Sequence, residues 1–123
     1  MDNHGYRSLV IGKPGRMRDG LRCLLKAHPL MDKPLTANDI PSAILLLDEY
    51  QPDIILLDAS LSSEDKKVYL DYVQKEYPLT KCIAINNRSQ ENASCMAAGA
   101  YQVQLDGFPA DTLYLAINKA LEN

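Results

Sequence analysis

QPDIILLDAS, residues 51–60, decides the fold: four unbroken apolar residues, Ile54–Leu57, lead into one acid, Asp58, and then small residues. An apolar run without polar alternation marks a strand covered on both faces, as in parallel sheets. Similar short runs are SLVI (8–11), CIAI (82–85) and the weaker YQVQL (101–105). Here DIILL (53–57) is read as the third strand, and a weak strand over Lys33–Ala37 as the second.

Between these runs the apolar spacing changes to that of helices. Met17, Leu21, Leu24, Leu25 and His28 form one stripe. Ile40, Ala43, Ile44 and Leu47 form another, with Asp39 placed to cap and Pro41 tolerated in the first turn. Tyr69, Leu70, Val73 and Tyr77 predict a third helix. Cys95–Ala98 end a short fourth, stopped by Gly99. Leu113, Leu115, Ala116, Ile117, Ala120 and Leu121 predict a fifth, entered through Pro109 and Asp111. Strands alternating with helices imply parallel pairing with right-handed crossovers. The expected fold is α/β: a flavodoxin-like, doubly wound (βα)₅ three-layer sandwich with strand order 2-1-3-4-5, one domain over residues 1–123. Its working edge is the carboxyl end of the strands, where Asp58, Gly12, Asn86 and Asp106 should meet.

Composition excludes several function classes. The net charge of -3 gives no basic footprint for nucleic acid. No apolar run approaches the ~20 residues that span a bilayer. MDNHGYR has no secretory core, and three widely spaced cysteines fit neither disulfide framework nor metal knuckle, so a reducing cytoplasm is expected.

In this frame the sequence resembles a response-regulator receiver domain, closest to receivers that precede a helix-turn-helix output. SLVIGKPGRMRDGLRCLLKAHP resembles that family's first strand and helix. QPDIILLDAS resembles its third strand with the phospho-accepting aspartate at Asp58, and AAGAYQVQL its fourth helix end and fifth strand. The resemblance spans nearly the whole chain, with NNRSQEN (86–92) a residue or two short.

The resemblance implies autophosphorylation on aspartate from a phosphohistidine donor, using Mg²⁺. Its two metal-binding acids match Gly12 and Lys13; its hydroxyl matches Asn86, its lysine Asp106 and its switch aromatic Val103. Of that set only Asp58 remains, so Mg²⁺ binding should be lost and no cofactor is expected. The exchange of charge across the pocket predicts an ion pair of Lys13 with Asp58, Asp106 or both, since a lysine between two acids removes their repulsion. The blander reading makes Lys13 a solvated loop lysine, Asn86 a loop cap and Asp58 an inherited strand-end acid.

Other residues are less informative. VIGKPG resembles a phosphate loop but lacks the glycine spacing and the Ser/Thr after the lysine. His4 and His28 have no ligand or triad neighbours. No histidine is placed to activate Ser60, Ser62 or Ser63, and SSEDKK (62–67) reads as a solvated helix start capped by Ser62 or Ser63. Cys23 and Cys82 read as core or half-buried thiols and Cys95 as the more reactive one. Tyr69, Tyr72 and Tyr77 fit helix–sheet packing better than a contact surface.

The expected function is an atypical receiver in two-component or phosphorelay signalling, not an enzyme, independent of phosphorylation. It would act as an interaction or dimerisation module that regulates transcription through an attached or partner output domain. Its partners would be another protein or a second copy, with a histidine kinase implied by the resemblance and neither nucleic acid nor membrane contacted directly. Candidate surfaces are the last helix (Asn118, Lys119, Glu122) and the first (Arg16, Arg18, Asp19, Arg22). Two alternatives stay open: an active receiver phosphorylated on Asp58 by a histidine kinase, and an anion or small-ligand sensor holding its ligand by Lys13. The chain ends at KALEN, where a receiver's fifth helix ends, which leaves room for a DNA-binding domain in a longer gene product.

Overall fold

Strands and helices alternate without exception in the computed structural model, which describes residues 5–122. The order is β1 (Ser8–Ile11), α1 (Arg16–Ala27), β2 (Leu35–Ala37), α2 (Ile40–Tyr50), β3 (Ile54–Leu57), α3 (Ser63–Glu76), β4 (Lys81–Asn86), α4 (Asn92–Ala98), β5 (Gln102–Leu105) and α5 (Ala110–Glu122). A 3₁₀ turn over Ser89–Glu91 precedes α4 in the shortened stretch. The five strands are parallel in the order β2-β1-β3-β4-β5, as the α/β reading expects. The strand bounds shift by up to two residues: β2 and β3 start later than read, β4 runs from Lys81 to Asn86, and β5 begins at Gln102.

Every residue of β1 and β3 is buried, because helices cover both faces. Leu9, Ile11, Ile55, Leu57, Cys82 and Ala84 point to one side, where α2, α3 and α4 pack. Val10, Ile54, Leu56, Ile83 and Ile85 point to the other, against α1 and α5. Each fully buried aliphatic side chain contributes about 1.5–3 kcal/mol. Two clusters on either side of one sheet therefore hold all five strands.

The helix ends follow local chemistry. Asp39 caps α2 by accepting from the Ser42 N–H at 2.9 Å, and that bond holds its carboxyl below the usual carboxylate range. Ser62 caps α3 through the Asp65 N–H at 3.1 Å. Tyr69 is core, its hydroxyl donating to the Ala43 carbonyl at 3.2 Å. Tyr72 and Tyr77 tie α3 to α2 by donating to Asp48. Gly99 ends α4 with φ 118, a backbone that other residues adopt only under strain. A Cβ there would also press on Gln74 of α3.

Two expectations about reactive groups are corrected. Cys95 is fully buried, whereas Cys23 is the exposed thiol; burial pushes the Cys82 thiol up to about 12. His28 is buried at the α1–α5 joint: its Nδ1 accepts from the Leu30 N–H at 3.1 Å and its Nε2 donates to Asn118 Oδ1 at 2.8 Å. Asn118 is exposed, as expected of that side of α5, and also accepts this bond. His4 lies outside the described residues.

Gly99→Ala is expected to cost about 1–3 kcal/mol, seen in urea unfolding as a lower midpoint at unchanged slope.

Candidate functional site

The carboxyl edge of the sheet is assembled by register. Ile11 pairs with Leu57, and the Asp58 N–H continues the ladder by donating to the Ile11 carbonyl at 2.9 Å. Gly12 and Asp58 are therefore forced side by side. A Cβ built on Gly12 would overlap both the Asp58 Cγ and its Oδ2. The carboxylate fills the space that a side chain at position 12 would need.

Asp58, just past the end of β3, is fully buried. Its Oδ1 accepts from the Ser60 N–H at 2.8 Å and from the Ser60 hydroxyl. That hydroxyl oxygen in turn accepts from the Lys13 N–H at 2.9 Å, so Ser60 closes over the acid. Ala59 is held from both sides, its N–H by Met17 Sδ at 3.2 Å and its carbonyl by Asn87 Nδ2 at 3.1 Å. Oδ2, against Gly12, has no hydrogen-bond partner among the described residues.

The expected pair of Lys13 with Asp58 or Asp106 is not formed. Lys13 is exposed, and among the described residues its ammonium makes no ion pair. Asp106 is also exposed. Its N–H donates to the Asn86 carbonyl at 2.8 Å, and the residue lines a cleft against α1 rather than the Asp58 pocket.

The cation beside the site is Lys66, on α3. It is fully buried, and its Nζ donates to the Ile85 carbonyl and to Asn86 Oδ1, both at 2.9 Å. Glu91 Oε1 lies 3.7 Å away. Burial depresses the Lys66 ammonium below its ordinary value; Glu91, then Cys95 and Asp58, act in the opposite direction. Taking an ammonium out of water costs several kcal/mol unless its donors are satisfied, and here three oxygens face it. The reading of SSEDKK as a solvated helix start is thereby corrected for Lys66. The signal was in the sequence: Lys66 sits three and four residues before Tyr69 and Leu70, on the buried stripe of α3.

Asn86, at the end of β4, is more than a loop cap. Its Oδ1 takes the Lys66 ammonium and its Nδ2 donates to Asn92 Oδ1 at 2.8 Å, with the Cys95 thiol at 3.8 Å from Oδ1. One amide joins α3, β4 and the start of α4. Val103, on β5, is half-buried against the α2–α3–α4 core.

Comparison with solved structures gives the family of the fold. The receiver domain of NtrX from Brucella abortus superposes with a TM-score of 0.84 at 27% identity, over 94% of this chain and 98% of that one. The fold is that of a response-regulator receiver domain. The signal receiver domain of an HD domain-containing protein from Pseudomonas fluorescens Pf-5 matches with a TM-score of 0.85 at 23% identity, over 97% of this chain and 96% of that one. A LuxR-family two-component response regulator from Aurantimonas sp. SI85-9A1 matches at 0.85 and 20% identity, over 96% and 86%. In a longer NtrX structure the chain covers 27% of the length. No protein-family model and no curated protein matches.

In this receiver fold the residues around Asp58 fit Mg²⁺ poorly. The ion takes near-octahedral oxygen ligation. Here one carboxylate is offered, with Oδ1 engaged by Ser60 and Oδ2 turned onto a glycine. Among the described residues no group of three His, Cys, Asp or Glu side chains gathers in a metal-holding arrangement.

Two substitutions test this geometry. Gly12→Ala is expected to cost about 1–3 kcal/mol, and much less in an Asp58→Ala background, giving a coupling above about 1 kcal/mol in a double-mutant unfolding cycle. Because the folded Lys66 holds its proton less tightly than the unfolded lysine, the folded state binds fewer protons as pH rises toward 10.5. Wild-type stability should therefore rise with pH across that alkaline window relative to Lys66→Met, which lacks the titration. Paired urea titrations at increasing pH read the difference.

Proposed function

We propose that this receiver fold serves two-component or phosphorelay-type signalling as a phosphorylation-independent, metal-free interaction module with no catalytic step of its own. The observation that carries the reading is the Asp58 carboxylate packed onto the Gly12 backbone and closed in by Ser60. Phosphoryl transfer depends on neutralising charge on the transferred group, usually by metal ions. Lys66 is a cation near the acid, but its ammonium is spent on Ile85, Asn86 and Glu91.

The same network supports a fixed conformation. Lys66 and Asn86 fasten the end of β4 to α3 and α4, at the positions where the family's trigger would act. What remains available is surface. Met96 on α4, Leu105 on β5 and Leu115 on α5 are large, exposed apolar side chains on three consecutive elements. Such residues favour a protein partner, either a second copy or an output domain on the same or another chain, through which the module regulates transcription. Among the described residues no helix is long and apolar enough to cross a membrane.

Incubation with acetyl phosphate and Mg²⁺, read by intact mass, is expected to leave the chain unmodified, and Mg²⁺ alone to leave its melting temperature unchanged. A phosphoryl adduct that disappears in Asp58→Asn would overturn the reading and make this an active acceptor of a histidine kinase.

A further inference from the structure

Charge is unevenly divided between α1 and α2, which pack on opposite faces of the sheet. Residues 13–26, α1 and the loop before it, carry five lysines and arginines against one acid, Asp19. Residues 34–65 carry seven carboxylates and no lysine, arginine or histidine. Their exposed helix, α2, packs on the face of the sheet opposite α1.

Each side also carries an apolar feature. On the basic side a cleft of about 430 Å³ opens between α1 and the β5–α5 loop. Met17, Leu21, Leu24 and Phe108 supply its apolar wall, and Arg16 and Asp106 are among its polar lining. On the acidic side Leu45 projects from α2 with 63% of its surface exposed, one turn before Asp48 and Glu49.

We propose that the chain assembles head to tail with copies of itself, α2 of one copy docking on α1 of the next with Leu45 in the α1/β5–α5 cleft. This deepens the reading of the chain as an interaction module and names its partner. A second copy is favoured because the chain carries both halves of the contact: an apolar cleft beside the basic helix α1, and an apolar anchor on α2, which carries Asp48 and Glu49 and no cation of its own. The two halves differ and face opposite ways, so the contact is heterologous and does not close at two copies. A dimer keeps one free cleft and one free Leu45, so growth continues with concentration. Opposite fields speed encounter and are screened by salt, so assembly should weaken as ionic strength rises.

Two variants separate the halves. Gly20 lines the cleft, and a Cβ there meets nothing within 4 Å, so Gly20→Glu obstructs the cleft without strain inside the fold. It also replaces a helix-interior glycine with a better helix former. Leu45→Lys removes the anchor at an exposed position.

Sedimentation equilibrium from about 10 μM to about 1 mM, the range of weak interfaces, reads the outcome. Wild type should rise above the 13.7 kDa of one chain and pass beyond a dimer, and should fall back in about 0.5 M salt. Each variant alone should stay monomeric. Their equimolar mixture should form a dimer that does not grow, joining the intact cleft of Leu45→Lys to the intact Leu45 of Gly20→Glu. A monomeric wild type would overturn the inference and leave the cleft to an acidic partner protein. A dimer that stops at two copies, or assembly indifferent to both variants, would overturn it as well. Those results leave Asp58 untouched, whereas an aspartyl adduct would remove the phosphorylation-independent reading without altering the association state of the unmodified chain.

Discussion

A carboxylate lying on a backbone without a side chain is the constraint on which this site depends. Parallel register sets Gly12 beside Asp58. With glycine at position 12 the acid can turn inward, bond Ser60 and bury itself completely. Any other residue there would drive it out of that position. One missing Cβ thus links the local sequence VIG to the inward position of the carboxylate.

The second constraint is a buried charge. Lys66 reaches from α3 under the end of β4 and satisfies its donors on Ile85 and Asn86, with Glu91 near. A pair or triad of this kind adds little net stability, because desolvation offsets most of the attraction. Its effect is positional. Asn86 is held by the ammonium on one side and by Asn92 on the other, so the β4–α4 connection has one arrangement in which all partners are satisfied.

In the proposed reading these features make the family's moving part a fixed one. A receiver that switches needs two conformations close in free energy and a ligand that prefers one of them. An acid already engaged and an amide already paired leave the phosphoryl group little to distinguish. On that reading function passes from the pocket to the faces of the helices, where large apolar side chains are exposed.

The fold was legible in the sequence because its causes are periodic. Unbroken apolar runs of four set buried strands, stripes at helical spacing set the helices, and Asp39, Ser62 and Gly99 marked helix ends by chemistry that acts within a few residues. The same reading found Asp58, Gly12, Asn86 and Asp106 at one edge, since strand ends share an edge whatever their side chains do. It could not tell which cation serves that edge. Lys13 is near in sequence but solvated; Lys66 is a turn inside a helix start that looked polar, and although its spacing to Tyr69 and Leu70 puts it on the buried stripe, only packing shows which oxygens its ammonium meets. Sequence determined which residues reach the rim, because hydrogen-bonded register follows from the order of the chain. Tertiary structure alone decided which of them pair there, because side-chain partners follow from the volume that neighbouring elements leave open.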